Sequence, residues 1–350
     1  MAERNRAMEL YRFIAAALIL CYHCQWVAFP KDGAPFSRCY LFVELFFILG
    51  GFLMMRSVRR EYGSERCPDP AGRTVRYIKS RLDRLYPHHL LSWILVAALR
   101  VFLVRDLQPV QLARIGWPEL LLVNIFGFVR GEYVNIVCWY ISGLLFASLV
   151  IYYLLLRDED GFVKILAPLI LAVCYGTIYD RAENLAVTIV FTKYAPHLGF
   201  MRSLADITAG VLAYRVYEGL RDAELPGEAV LATLLELGVL ASAGFWIFGT
   251  RGRLDFLAVP LFFLFVISVF RGKSLLTRLF DNRLSQWLGR QSYAFYLNNL
   301  AVVYLYHHFF PAPEPWRMVC VCVPACLLLS VITGKAVSLL TGRGGKGTTG

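Results

Sequence analysis

Runs of about twenty apolar residues recur along this chain almost from its first residue to residue 340, and hydrocarbon leaves such segments few options. With no water to serve the backbone, a spanning segment must close its hydrogen bonds within a helix or within a sealed barrel. Barrel strands need only about ten residues, so runs of this length imply an all-α, polytopic integral membrane protein. Composition agrees: 58% of residues are hydrophobic and 17% are charged, whereas soluble domains carry about a quarter charged residues.

A window of about twenty residues gives about ten transmembrane spans, at roughly 8–29, 38–58, 86–105, 135–156, 162–180, 203–219, 229–249, 254–270, 291–311 and 317–340. Between the third and fourth lies WPELLLVNIFGF (Trp117 to Phe128), short and interrupted, which reads as a re-entrant or interfacial segment. A net charge of +11 on a soluble chain would point to nucleic acid. Here the basic residues crowd into short connections, above all between Arg56 and Arg84, as the cytoplasmic side of a multi-pass protein requires. The charge therefore reads as topology, with no nucleic-acid partner and with both termini cytoplasmic. The expected organisation is one transmembrane domain over 1–340 and a flexible, Gly-rich tail over 341–350.

Cys21, Cys24, Cys138, Cys174, Cys320, Cys322 and Cys326 all fall within apolar spans, where cysteine acts as a small hydrophobe and says little about redox compartment. No small-residue cleavage site follows the first apolar run, so that helix is expected to stay.

The first span, ELYRFIAAALILCYHCQWVAF, holds Arg12 and His23, although an arginine at a helix centre costs roughly 3 kcal/mol in a bilayer. His23 follows Arg12 by 11 residues, which at about 100° per residue returns to within roughly 20° of the same face. The second span adds Glu44, a carboxylate that needs a cationic or protonated partner, and His23 on the neighbouring antiparallel span is the expected one. Cys21, His23 and Cys24 do not converge on a helix, so no metal is expected. His88 and His89 are expected at the interface, as are His307 and His308 unless they face an acceptor. Arg202 and Asp206, four apart, are expected to pair with each other or to line a pore.

These residues and five further blocks resemble the acyltransferase family 3. The blocks are VELFFILGGFL (Val43 to Leu53), RLDRLYP (Arg81 to Pro87), WYISGLL (Trp139 to Leu145), RSLADITAGVLAY (Arg202 to Tyr214) and LGRQSYAFYL (Leu288 to Leu297). The resemblance implies a membrane protein of about ten helices that moves an acyl group, usually acetyl, to an extracytoplasmic acceptor such as a glycan. The donor implied is acetyl-CoA, the location the plasma membrane, and the partners a hydroxyl-bearing acceptor at the outer face and membrane lipids. His23 is then the candidate base, or alternatively a covalent acyl carrier, with Glu44 holding its ring and Arg12 on the same face. The roughly 16 Å between Arg12 and His23 along the helix is near the reach of a pantetheine arm. Arg12, Lys79, Arg81, Arg84 and Tyr86 are the candidates for the donor, since guanidinium forks suit its phosphates.

The chain departs from the common family pattern in three places. Gly50 stands where many members have serine, WYISGLL carries no acid after its tryptophan, and Asn299 stands where a histidine is common. These changes place it nearer the branch associated with surface and capsular polysaccharide. The rival from another class is a proton-coupled transporter or flippase of a lipid-linked sugar or organic anion, using Arg12, His23 and Glu44 as its pathway. The lack of internal repeat symmetry counts against it.

Overall fold

The computed structural model describes residues 5–28, 36–63, 67–129, 131–187, 198–248 and 252–342, and every regular element among them is helical. In chain order these are α1 (Arg6–Ala28), α2 (Phe42–Tyr62), α3 (Pro70–Ala98), α4 (Pro109–Leu120), α5 (Trp139–Arg157), the single turn α6 (Glu159–Gly161) and α7 (Ala167–Ala182). There follow α8 (Leu198–Leu220), α9 (Glu228–Phe248), α10 (Ala258–Arg271), the short α11 (Leu275–Leu279), α12 (Arg283–Phe309) and α13 (Pro315–Leu340). The tail expected over 341–350 lies, from residue 343 on, outside the described residues.

Seven helical segments among the described residues are long and apolar enough to cross a membrane: 6–26, 39–62, 70–104, 136–157, 159–182, 253–271 and 316–340. The long helices α8 and α12 are not among them, because Arg202, Asp206 and Arg215 dilute the first and Asn298, Asn299, His307 and His308 the second. The chain is thus a helical protein with several membrane-length apolar helices.

The basic stretch from Arg56 to Arg84 is helix over most of its length rather than loop. α2 runs on to Tyr62, and α3 opens at Pro70, well before the expected start at residue 86. The local cause is a strong N-terminus: Asp69 accepts a hydrogen bond from the Gly72 amide at 2.8 Å and proline follows it at the first helical position. Arg73, Arg76, Lys79, Arg81 and Arg84 therefore ride on one rigid helix.

The polar α8 is the central helix, packed on α2, α5, α7 and α10. Its approach to α2 depends on two glycines facing each other's backbone. A Cβ on Gly51 would meet the Ile207 carbonyl oxygen, and one on Gly210 would meet that of Ile48, both at 1.9 Å. Small residues at such crossings bring backbones close enough for dispersion to act where lipid offers no hydrophobic drive. By contrast only 22% of the apolar window of 159–182 is buried, against 72% for that of α2, so α7 belongs to the rim. α1 runs alongside α12 in the same direction, from an Arg6–Asp281 ion pair at 3.6 Å to a Phe13–Phe295 ring contact at 5.2 Å and on to His23.

The interrupted segment after α3 consists of α4, a tight turn and a single 3-10 turn over Asn124–Phe126. Its irregular backbone is covered by protein in part: Leu122, Asn124 and Ile125 are buried, and the Ser142 hydroxyl on α5 donates to the Leu122 carbonyl at 2.5 Å, while Leu121 and Phe128 are exposed.

Candidate active site

α1 begins where Asn5 accepts from the Met8 amide at 2.9 Å, and the same side chain donates to the Val269 carbonyl at 2.9 Å, which fixes the helix against α10. Seventeen residues further along (6 to 23), His23 is buried at 7% exposure. Its ring lies 5.3 Å from that of Tyr22 and 6.4 Å from that of Trp26, which in turn meets Tyr133 at 6.1 Å. From α12 the Asn299 carboxamide lies beside the imidazole. His23 Nδ1 and both amide atoms of Asn299 are buried with no hydrogen-bond partner. A buried imidazole with an uncommitted ring nitrogen can take up or deliver a proton, and which nitrogen carries it depends on the tautomer its neighbours select.

Glu44 does not pair with His23. It is fully buried and gripped at two points by Arg202, with Nη2 donating to Oε2 at 2.6 Å and Nε to Oε1 at 3.0 Å. A guanidinium fork matches a carboxylate better than an imidazole does, and α8 brings that fork to α2 through the glycine crossing. Arg202 therefore does not pair with Asp206 either; Asp206 accepts from the Tyr175 hydroxyl at 2.5 Å. A second buried pair, Arg38–Asp255 at 2.5 Å, adjoins this one. Tyr40 links the two, since its hydroxyl donates to Asp255 and its carbonyl accepts from Arg202 at 3.3 Å. Tyr40 also packs on Tyr22, beside His23, with ring centroids 5.5 Å apart.

The donor candidates are divided. Arg12 is held by Glu9, its i−3 neighbour, at 3.0 Å. Arg12 and Arg81 both lie within electrostatic range of Tyr140 on α5, so α1, α3 and α5 bring them towards one place. Arg81 also sits 4.7 Å over the Tyr77 ring, which stacks on Tyr152. Arg84 lies within range of Tyr293 on α12, whose hydroxyl donates to the Leu85 carbonyl at 3.1 Å. Lys79 instead pairs with Asp83 at 2.9 Å on an exposed face, and the Tyr86 hydroxyl is spent on the Leu120 carbonyl at 3.1 Å.

His89 is not interfacial: it is fully buried, with Nε2 at 3.0 Å from the Glu119 carbonyl. Glu119 itself lies within WPELLLVNIFGF and organises that segment. Its carboxylate accepts from Trp93 Nε1 at 2.9 Å and from the Val134 and Asn135 amides at 3.0 and 2.9 Å, which holds the strand of chain carrying Tyr133. Glu236 on α9 is a further buried carboxylate, bound by the hydroxyls of Tyr11, Thr277 and Ser268. The burial penalty that drew attention to Glu44 applies equally to Glu119, Asp255 and Glu236, and was the signal that could have found them. An open cavity of about 380 Å³ lies elsewhere, between the end of α2 and the α5–α6 corner, lined by Arg59, Tyr62, Arg157 and Glu159. Arg59 is already paired there with Glu159 at 3.0 Å, and none of the candidates above lines that cavity.

A family model described as an acyltransferase domain matches residues 5–335, from the cap of α1 into the last turns of α13. No curated protein and no solved structure matches. With nearly the whole chain covered by that one model, the protein belongs to the acyltransferase family 3.

Proposed function

We propose that this membrane acyltransferase is an O-acyltransferase that takes acetyl from acetyl-CoA on the cytoplasmic side and esterifies a hydroxyl of a glycan at the outer face. The observation that carries the proposal is the buried His23 imidazole with an unpartnered ring nitrogen, on the same helix as Arg12. In this reading His23 removes the proton from the acceptor hydroxyl as its oxygen attacks the thioester carbonyl. The C–O bond forms, the C–S bond breaks, and the imidazolium returns the proton to the departing thiolate. The donor's phosphates meet Arg12, Arg81 and Arg84, with Lys79 and Tyr86 at the edge of the same segment. Glu44 supports the site through Arg202 and Tyr40 rather than by touching the ring.

The topology that serves this chemistry has ten crossings, made by α1, α2, α3, α5, α6 with α7, α8, α9, α10, α12 and α13. α4 and the turn to Phe128 enter from the outer side without crossing. Both termini are then cytoplasmic, in the plasma membrane. α8 and α12 can cross despite their polar residues because protein, not lipid, surrounds Arg202, Asp206, Asn298 and Asn299, all at most 1% exposed.

The test is a mass-spectrometric comparison of base-labile esters on surface glycans from cells carrying the wild-type chain, His23→Ala or neither. An ester present only with the wild type supports the proposal. Identical glycans in all three, with the protein shown to be in the membrane, reject it and favour transport.

A further inference from the structure

α12 carries two consecutive asparagines, and the helix turns them to different neighbours. Asn298 donates from Nδ2 to Thr333 Oγ1 on α13 at 2.8 Å. Asn299, about 100° further round the helix, has no such bond: it is completely buried, faces α1 beside His23, and neither its Oδ1 nor its Nδ2 has a partner. A buried amide left unmatched is destabilising, and an apolar residue of similar volume would avoid that cost. Beside it lies the His23 ring, whose Nδ1 is equally unmatched. Orienting contacts of this kind are often long or misaligned before substrate binds and close in the reacting complex.

We propose that Asn299 is the positioning residue of His23: its carboxamide oxygen accepts the ring N–H that faces it, which leaves the other nitrogen to take the acceptor's proton. The proposal rests on the O-acyltransferase reading given above. It replaces the carboxylate expected in this role, since Glu44 is committed to Arg202. The exchange has a chemical consequence. A carboxylate orients an imidazole and stabilises the imidazolium with a full charge, whereas a neutral amide orients it and offers only a dipole. Among the described residues no charged group acts on the ring. Its titratable surroundings are Tyr22 and Cys24 on α1 and, beyond Trp26, Tyr133 from the segment after α4, while α12 contributes the Asn299 amide. Position 299 is therefore where a single substitution adds a charge next to His23.

The experiment measures thiol release from acetyl-CoA by the full chain in membranes, with a cell-surface glycan fraction as acceptor, across a range of pH. Asn299→Ala is expected to lower kcat about 10- to 100-fold with KM for acetyl-CoA unchanged, because orientation and not donor binding is lost. Asn299→Asp keeps the accepting oxygen and adds a charge that favours the imidazolium. It should retain more activity than the alanine variant and move the acidic limb of the rate profile to higher pH by about one unit or more. Asn298→Ala should lower thermal stability and leave that limb in place. Equal losses in Asn299→Ala and Asn299→Asp, with an unmoved limb and a lowered melting temperature in both, would assign Asn299 a packing role and overturn the inference. A wild-type kcat in Asn299→Ala beside an inactive His23→Ala would overturn it while leaving the reaction standing. Full activity in His23→Ala, or no thiol release from the wild type, would remove the reading beneath it.

Discussion

Two polar regions are buried side by side in this bundle, joined through the Tyr22–Tyr40 contact, and they treat charge differently. Around Glu44 and Asp255 each carboxylate faces a guanidinium, Arg202 or Arg38, at 2.5–2.6 Å, and the fork or a tyrosine hydroxyl takes its remaining oxygen. Among the described residues no full charge acts on His23, and three polar atoms around it are unmatched. A region whose interactions close within the protein holds helices together, and here it ties α2, α8 and the segment before α10. A region that leaves donors and acceptors open has a use for them only when something else arrives. Intramembrane polarity therefore does not by itself mark a reacting site.

The largest effect should come from breaking the closed region. Glu44→Ala leaves Arg202 buried and unpaired and is expected to destabilise the protein by about 3–5 kcal/mol, read as loss of folded protein or a lowered melting temperature in detergent. The double variant Glu44→Leu with Arg202→Met should recover most of that loss, because two apolar side chains can replace a buried pair. Failure of the double variant to recover would mean that the pair does more than clamp. His23→Ala should behave in the opposite way, losing about 10²–10⁴-fold in turnover while its melting temperature stays close to that of the wild type. A strongly lowered melting temperature in His23→Ala would dissolve the contrast between the two regions.

Much of this contrast was hidden in the sequence for identifiable reasons. The apolar helices were legible because hydrophobic length is a one-dimensional signal, and seven of the expected stretches correspond to helical segments long and apolar enough to cross a membrane. α3 was the exception: its first turns are charged and carry no apolar signal, and only the Asp69–Pro70 start betrays them. His23 and Arg12 could be placed on one face by counting. The partner of Glu44 could not, because Arg202 is 158 residues away and meets it through a glycine crossing between α2 and α8. Asn299 was visible as a departure from a family pattern, yet its position beside His23 depends on α12 running parallel to α1, which no local spacing reveals. Its neighbour Asn298, chemically identical, has an unrelated role.

The packing that sets those two helices in register gives a smaller, sharper prediction. A Cβ on Gly289 of α12 would lie 2.3 Å from Glu9 Cβ and 2.7 Å from the Glu9 carbonyl oxygen. The carbonyl cannot rotate away, so Gly289→Ala must separate α1 from α12. The expected loss is about 1–3 kcal/mol, with turnover falling further than stability because His23 and Asn299 lie on the two helices that part. A variant that loses stability and keeps its turnover would show that the active geometry tolerates a shift between α1 and α12.

The smallest effect is expected at the far end of α3, where the comparison is between Lys79 and Arg81. Lys79 forms an i,i+4 pair with Asp83 at 2.9 Å, but the two side chains are 72% and 50% exposed. Solvent screens such a pair, so Lys79→Ala should change stability by no more than about 0.5 kcal/mol. Its ammonium is a hydrated point charge, and its removal should raise KM for acetyl-CoA by less than about threefold. Arg81 is braced over Tyr77 and shares the neighbourhood of Tyr140 with Arg12, so a phosphate there meets a preorganised fork. Arg81→Ala should raise the same KM about tenfold or more. Measured together at two salt concentrations, the variants separate a bound phosphate from a diffuse basic surface. If Lys79→Ala and Arg81→Ala weaken the donor equally, and both effects vanish in high salt, the helix only attracts the donor and the contact that holds it lies elsewhere.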